Sequence, residues 1–380
     1  MDIKLWLLGF LTTIIAYAGI TLLHIIFPVK KIKGYVKHEK TGEVLNYRIN
    51  GIMVLPASIL IWFLLGYFNI VSYDWLYQVR WAGLVSAIVM GLIFSFILVL
   101  KVPSTGKPFL ADFWLGRIWN PQIGNGFIDA KMWLYLIGAV MLQLNALSFT
   151  AHHLQTMIDW NAAGNIGFLQ ALCEHGGKVN WGFLLGAAMT SWFCWDYLIF
   201  EKVHLYTYDL FAERVGFKLG FGCLTFYPYF YAIPLWCTVN LVNPNHPLWL
   251  TILFACLFLF GWVFTRGANL QKYVFKVAPN KNFLWMKPEV LTDGKHSLLV
   301  SGYWGASRHI NYMGEIIQAI AIAIAAGYPG VWQVWLYPIY YIGLLFSREV
   351  DDGKICKAKY GELWDEYKKR VKYRVIPFIY

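Results

Sequence analysis

The stretch SGYWGASRHINYMGE, residues 301–315, sets an arginine, a histidine, an asparagine and a glutamate beside a long apolar run. Polar groups in apolar surroundings need partners, because burying them without hydrogen bonds costs free energy. Such a set is typical of a site that binds a polar molecule at the mouth of a buried cavity. Together with the apolar sequence around it, the stretch indicates a membrane fold and locates its chemistry.

Composition supports this interpretation. Of the 380 residues, 58% are apolar and only 14% are charged, which lies outside the usual balance of soluble domains. Apolar runs near the ~20 residues that cross a bilayer as a helix occur at 5–27, 51–71, 81–100, 133–149, 181–200, 219–242, 247–265, 313–327 and 330–346. We predict an all-α, polytopic integral membrane protein of about ten transmembrane helices.

The net charge of +11 predicts orientation and partners. Lysine and arginine near span ends set topology, so the basic stretch Lys30–Arg48 and the basic tail Lys354–Arg374 should face the cytosol. The excess charge also favours anionic headgroups or a phosphorylated ligand, and we expect no nucleic-acid partner. We predict a multi-pass protein of the endoplasmic reticulum if eukaryotic, or of the inner membrane if bacterial; the sequence leaves the oligomeric state open.

Metal sites and nucleotide loops have no sequence support. Six scattered cysteines form no C-x-x-C pair, and the pair His152-His153 lacks the further histidine boxes of membrane di-iron enzymes, so we predict no metal. Neither G-x-G-x-x-G nor G-x-x-x-x-G-K-[ST] is present. A bound nucleotide would therefore be held by side chains.

One integral membrane domain, residues 1–380, is predicted, because no linker or low-complexity tract divides the chain. Composition nevertheless changes near Arg266. Before it the sequence is almost continuously apolar, and after it come a polar bridge from Lys272 to His296, the quoted stretch and an amphipathic tail. The chemistry should lie in this last third.

Two helical faces carry the candidate groups. If the quoted stretch is helical through Glu315, then Arg308, Asn311 or Tyr312, and Glu315 lie on one face. In the tail a second stripe is predicted from the residues Asp352, Cys356, Lys359, Tyr360 and Tyr367. The alternative for the tail is an amphipathic helix lying on the membrane surface, which its flanking lysines would suit.

Several segments resemble the sterol reductase family, which includes the delta-14, delta-7 and delta-24(28) sterol reductases and the lamin B receptor. The matching segments are DFWLGRIWNPQIG (112–124), RGANLQK (266–272), LLVSGYWGASRHINYMG (298–314), REVDDGKICKAKYG (348–361) and YRVIPFIY (373–380). The Arg-His-x-x-Tyr-x-Gly core alone is also similar to isoprenylcysteine methyltransferases. The Cys-x-x-Lys-Tyr-Gly and Tyr-Arg motifs of the tail make the sterol reductase match specific.

The resemblance implies an NADPH site in residues 266–380, with residues 1–265 forming mainly a sterol cavity and scaffold. The implied cofactor-binding residues are Lys272, Lys276, Leu299, Trp304, Arg308, Asn311, Tyr312, Asp352, Cys356, Lys357, Ala358, Lys359, Tyr360 and Tyr367. Lys272 and Lys276 can offer charge to phosphates, and Trp304 with the tyrosines can offer flat surfaces to the rings. Asn311 can meet a carboxamide or a ribose hydroxyl.

The chain departs from the family pattern at Ile118-Trp119, Phe193 and Cys223. A tyrosine that the family resemblance implies as proton donor falls at Phe193. The remaining candidates for the catalytic acid are Asp352, Tyr197, Tyr231 and Glu201.

The predicted function is NADPH-dependent reduction of a carbon–carbon double bond in a sterol. An isolated alkene accepts hydride poorly, so a proton must first be loaded on one carbon before hydride is transferred to the other. The departures from the family pattern favour the delta-24 bond over delta-7 or delta-14. The alternatives are an S-adenosylmethionine-dependent membrane methyltransferase of the isoprenylcysteine type and a non-catalytic sterol-binding scaffold.

Overall fold

A computed structural model describes residues 2–29, 31–38, 41–124, 126–164 and 166–380, and most of these residues are helical. Lys30, the first residue of the predicted basic stretch, lies outside them. The chain divides into two compact units. The first runs to His246 and includes Ala326–Tyr328, and the second comprises Pro247–Ala325 and Pro329–Tyr380.

The first unit is built around one long helix, α6 (Ala130–Met157), most of whose side chains are buried. The helices of this unit are α1 (Ile3–Ile26), α2 (Gly51–Tyr67), α3 (Trp75–Gln78), α4 (Arg80–Leu100), α5 (Phe109–Leu115), α6 (Ala130–Met157), α7 (Trp160–Ala163), α8 (Phe168–His175), α9 (Trp181–Ile199), α10 (Glu201–His204), α11 (Tyr208–Ala212), α12 (Phe217–Phe221), a π-helix (Gly222–Phe230) and α13 (Ile233–Thr238). At the start of α6 the fully buried Lys131 donates to the carbonyls of Asp209, Leu210 and Glu213 at 2.6, 3.1 and 2.6 Å. These three bonds satisfy the buried ammonium.

The second unit contains α14 (Leu248–Val277), α15 (Tyr303–Ala306), α16 (Ile310–Ala325), a 3₁₀ helix (Trp332–Trp335), α17 (Leu336–Tyr360) and α18 (Glu362–Arg370). Helices α14 and α16 pack closely through two glycines. A Cβ added at Gly314 would lie 2.4 Å from the Gly261 carbonyl oxygen, and one added at Gly261 would lie 2.6 Å from the Gly314 oxygen. Small residues allow this approach of two apolar helices, and Gln318 donates to Thr265 across it at 3.1 Å.

In the described part of the chain, three short antiparallel hairpins accompany the helices, which the all-α prediction did not include. They pair β1 (Lys31–Lys37) with β2 (Val44–Arg48), β3 (Gln122–Ile123) with β4 (Ile128–Asp129), and β5 (Val290–Thr292) with β6 (Ser297–Leu299). In β1 the exposed and half-buried residues alternate along KIKGYVK. This period of two is typical of a strand, whereas the basic character of the segment alone predicts only its orientation.

Four helices of the described residues, α1, α4, α6 and α14, are long and apolar enough to cross a membrane. This agrees with a membrane protein, while the count of about ten spans stays a prediction. The apolar run 219–242 is not one helix: it contains the end of α12, the π-helix and α13. Pro228 and Pro234 lie within this run and cannot donate the backbone bonds of a continuous α-helix.

Candidate functional site

The last turns of α14 and the short helix α15 form one wall of the candidate site. Helix α14 continues to Val277, so Lys272 and Lys276 lie on it and not in the polar bridge that the sequence predicted. The Lys272 ammonium lies 4.9 Å from the centre of the Trp304 ring, a cation–π contact. The Trp304 indole donates to the Ala268 carbonyl at 2.8 Å, which fixes the ring against α14.

The helix predicted from Trp304 through Glu315 is interrupted at Ser307–His309. Arg308 therefore does not lie on one continuous helical face with Asn311 and Glu315, as the sequence predicted. Helix α15 ends at Ala306 and α16 begins at Ile310. The break is held by a segment far along the chain. The amides of Arg308 and His309 donate to the carbonyls of residues 373 and 374 at 3.0 and 2.8 Å, and the Ser307 hydroxyl donates to that of residue 375 at 2.9 Å.

Asn311 presents an unused acceptor. Its side-chain NH2 group donates weakly to Asn269 at 3.4 Å, while its buried side-chain oxygen Oδ1 has no hydrogen-bond partner among the residues that the structure describes. Its neighbour Tyr312 is buried, and the Tyr312 ring stacks on His309 at 4.8 Å between centres. A buried carbonyl without a donor is costly, so this oxygen suits an amide or hydroxyl of a ligand.

His309 and Asp352 meet at 3.7 Å between Nε2 and Oδ2. Burial, with the nearby charges of Lys272 and Arg308, lowers the pKa of His309 to about 3, so its imidazole is neutral near pH 7. The contact is therefore neither an ion pair nor a good hydrogen bond. His309 was not among the predicted site residues, although it lies inside the stretch 301–315.

Asp352 lies on α17, beyond the apolar run 330–346. Burial raises the pKa of its carboxyl, and the positive charges of Lys272, Arg348 and Lys359 oppose that shift. The Cys356 thiol lies 3.7 Å from the Asp352 oxygen Oδ2. Burial and the neighbouring carboxylate raise the pKa of Cys356 to about 12, so this thiol is neutral and can donate to the carboxyl group.

The tail stripe is continuous only as far as Tyr360, where α17 ends. Gly361 has φ = 55°, a left-handed conformation that ends the helix, so Tyr367 lies on α18 and not on the predicted stripe. Tyr367 still reaches the site, because its hydroxyl donates to the Trp304 carbonyl at 3.4 Å. It belongs to a hydrophobic cluster with Val300, Trp364 and Val371, against which Leu291, Leu298, Cys356 and Tyr360 pack.

The remaining implied cofactor residues divide between the site and the surface. Leu299 is buried in β6 next to Val300, and the Lys359 ammonium lies 5.0 Å from the centre of the Tyr360 ring. Lys357, in contrast, is about half exposed and forms an ion pair with Asp365, and Ala358 is exposed. The Arg308 guanidinium donates to the carbonyl of residue 372 at 3.4 Å.

Three candidate acids lie in the first unit. Glu201 is buried and accepts from the Gly51 amide at 2.9 Å, and burial raises the pKa of its carboxyl to about 7. The Tyr197 ring stacks on His204 at 3.7 Å between centres. Both Tyr197 and Tyr231 also lie near the ring of Phe193, at 6.5 and 6.3 Å between centres.

Tyr227 is a candidate that the sequence interpretation missed. Its ring meets Phe193 edge-on at 5.9 Å and Tyr231 at 5.1 Å between centres. The residue is 6% exposed, and its hydroxyl has no hydrogen-bond partner in the described part of the chain. In the sequence, Tyr227 is a tyrosine beside Pro228 in an apolar run. That pattern alone does not distinguish a functional hydroxyl from a ring that only packs in the core.

Comparisons with known proteins extend across the chain. The model of the Ergosterol biosynthesis ERG4/ERG24 family matches residues 3–380. Relatives named Delta(14)-sterol reductase include one from Arabidopsis thaliana, 32% identical over 93% of this chain and 91% of the relative. One from Methylotuvimicrobium alcaliphilum is 31% identical over 89% and 76%, and one from Schizosaccharomyces pombe is 32% identical over 73% and 60%. These matches confirm the sterol reductase resemblance.

Proposed function

Because the chain belongs to the ergosterol biosynthesis ERG4/ERG24 family, we propose that it is a membrane enzyme that reduces a carbon–carbon double bond of a sterol with NADPH. The observation that carries the proposal is the cluster in the second unit, where Lys272, Trp304, Asp352, Cys356 and Tyr367 are brought together from three parts of the sequence. The family's reductase names support the reaction class.

For the position of the double bond, we propose delta-14. The delta-24 preference drawn from the sequence has no support among the relatives reported above, which carry the Delta(14) name. The departures at Ile118-Trp119, Phe193 and Cys223, from which the delta-24 preference was inferred, therefore do not identify the substrate.

The residues of the cluster and their neighbours fit NADPH. Lys272, Lys276 and Lys359 offer positive charge to phosphates, and Trp304 offers a flat ring. The buried carbonyl oxygen of Asn311 offers the acceptor that a carboxamide needs. When bound, NADPH would supply hydride to the substrate carbon. The protein's own part is to hold the dinucleotide, exclude water and supply the proton.

Candidates for the proton donor are Asp352, Glu201, Tyr197 and Tyr231, to which Tyr227 is added here. The raised pKa of Asp352 supports a carboxyl that is protonated when needed, and Cys356 can donate to its carboxylate afterwards. Asp352 stays our first candidate. Among the residues of the first unit, Tyr227 is supported by its buried hydroxyl without a described partner.

Organisation and orientation complete the proposal. Residues 266–380 hold NADPH and residues 1–265 form mainly the sterol cavity and scaffold. The protein lies in the endoplasmic reticulum or bacterial inner membrane with its tail in the cytosol, where NADPH is available. A cysteine added after Tyr380 should react with an impermeant reagent only from the cytosolic side; labelling from the other side alone would reverse the orientation.

The decisive experiment is product analysis. Purified protein, NADPH and delta-7, delta-14 and delta-24 sterols should give a delta-14-reduced product, with one NADPH oxidised for each sterol reduced. Reduction of another bond would remove delta-14 from the proposal. Absence of any reduced product, with thermal protection by S-adenosylmethionine instead of NADPH, would support the methyltransferase, and protection by neither would support the scaffold.

A further inference from the structure

An exposed apolar turn follows α14 in the second unit. We call residues 281–287 (KNFLWMK) the Leu284 hairpin. Its backbone closes through reciprocal hydrogen bonds between Phe283 and Met286, at 3.0 and 2.9 Å. The two residues at its tip are among the most exposed large apolar side chains of the chain, with Leu284 62% and Trp285 84% exposed.

The tip has an unfavourable backbone conformation. Leu284 has φ = 53°, in the left-handed region that bulky residues rarely adopt and where such a turn normally carries glycine. Strain of this kind persists only where the surroundings hold it. Here the Phe283 ring meets Tyr303 at 6.4 Å between centres, and the Ser301 hydroxyl donates to the Lys287 carbonyl at 2.9 Å. The hairpin is therefore a fixed support for its apolar tip.

The charges near the hairpin and the length of α14 indicate where the tip lies relative to a bilayer. Helix α14 is a candidate membrane span of 30 residues, and at 1.5 Å per residue it is about 45 Å long, longer than a ~30 Å hydrocarbon core. Its end and the hairpin that follows should therefore lie near the headgroups. Lys276, Lys281 and Lys287 are exposed there, while Glu289 lies within 3.8 Å of Arg370.

We propose that the Leu284 hairpin is an interfacial anchor, with Leu284 and Trp285 inserted at the bilayer surface and Lys281 and Lys287 on anionic lipid headgroups. Tryptophan favours the membrane–water interface because one edge of the ring is polar and its body apolar. Lysines beside it are attracted to acidic lipids. Because Ser301 ties the hairpin to the segment before Trp304, the same contact steadies one wall of the candidate site.

The test places a fluorescent label at the tip. In a full-length chain whose exposed Cys173 and Cys256 are changed to serine, Trp285→Cys is labelled with an environment-sensitive dye. The same cysteine-to-serine chain with Trp285 retained measures background labelling. The matched control is Lys295→Cys, at the exposed polar turn between β5 and β6. Both proteins are placed in nanodiscs of phosphatidylcholine alone or with phosphatidylserine, with or without spin-labelled quencher lipid.

The expected result is a blue-shifted emission at position 285 and loss of its intensity with quencher lipid, greater with phosphatidylserine, and neither at position 295. Lys281→Glu with Lys287→Glu should remove the phosphatidylserine dependence. Equal solvent exposure at the two positions would overturn the anchor, and equal quenching in both lipid compositions would overturn the role of the lysines. Self-quenching that depends on the number of chains per nanodisc would instead assign the tip to a second copy and also overturn the proposal.

Discussion

Changing Asp352 to asparagine separates a catalytic carboxyl from one that only positions the cofactor. The substitution keeps the shape of the side chain and removes its proton and its charge. Asp352 lies among the positive charges of Lys272, Arg348 and Lys359. If it supplies the proton, turnover should fall by roughly 10²-fold or more, the usual scale of general acid catalysis.

The same substitution should leave the affinity for NADPH unchanged or increase it, although turnover falls. If the ionised carboxylate and a bound phosphate were about 6 Å apart, removal of the negative charge would remove about 0.7–1.4 kcal/mol of repulsion at an effective dielectric constant of about 40–80. That energy corresponds to roughly 3–10-fold tighter binding. We therefore expect kcat to fall while the KM for NADPH stays constant or decreases, which a loss of cofactor positioning would not produce.

Steady-state rates at saturating sterol, with NADPH varied, measure both quantities. The matched control is Asp351→Asn, because Asp351 is exposed and pairs with Lys354 at 3.4 Å. The kinetics of this control should stay near those of the unchanged protein. Near-normal kcat with a raised KM in Asp352→Asn would refute the acid role. If Tyr227→Phe were then inactive, the acid would be assigned to that phenol.

Three further predictions follow from particular contacts. Lys272→Ala should raise the KM for NADPH by roughly 10–100-fold, as expected when a charge-assisted hydrogen bond is lost, and the exposed control Lys354→Ala should not. Equal use of NADH by the unchanged protein would contradict a contact of Lys272 with the 2'-phosphate. Gly314→Ala should lower the midpoint of thermal unfolding, since its Cβ would meet the neighbouring backbone at 2.4 Å at a cost of about 1–3 kcal/mol, whereas Gly343→Ala, with open space around it, should not; equal midpoints would refute the close packing. Because the pKa of His309 is lowered to about 3, its contribution to stability is present above pH 6.5 and is lost as the pH falls toward 3, at up to about 1.4 kcal/mol per pH unit. His309→Gln should therefore reduce the loss of stability on the acid side, as measured by unfolding at several pH values. An unchanged pH dependence would show that the pKa of His309 is the same in the folded and unfolded states.

The sequence predicted what local chemistry determines. Apolar length located α1, α4 and α14 to within a few residues at most of their ends, except that α14 continues past its apolar run to Val277. That extension places Lys272 on a helix. A charged end was taken for a loop because hydropathy falls there, although lysine is a good helix former.

Other features depended on contacts between distant residues and could not be read locally. The break at Ser307–His309 is made by backbone partners more than sixty residues away. The side-chain oxygen of Asn311 and the hydroxyl of Tyr227 are notable because each is buried without a hydrogen-bond partner among the described residues. Sequence periodicity cannot show that a hydrogen-bond partner is missing, because this depends on which distant residues surround the group. The residue types could therefore be listed from the sequence, but their roles could not be predicted.

The pairing of Ser307–His309 with residues 373–375 also has a consequence for the order in which the protein matures on the ribosome. Until residue 375 has left the exit tunnel, Arg308 and His309 have no backbone acceptors to hold the break, and the local preference is the uninterrupted helix that the sequence suggests. A nascent chain that already contains α14 and α16 would thus lack the arrangement that sets His309 beside Asp352. Nucleotide binding should therefore require residues 373–375, and a chain stalled or truncated before them would lack the arrangement of that site.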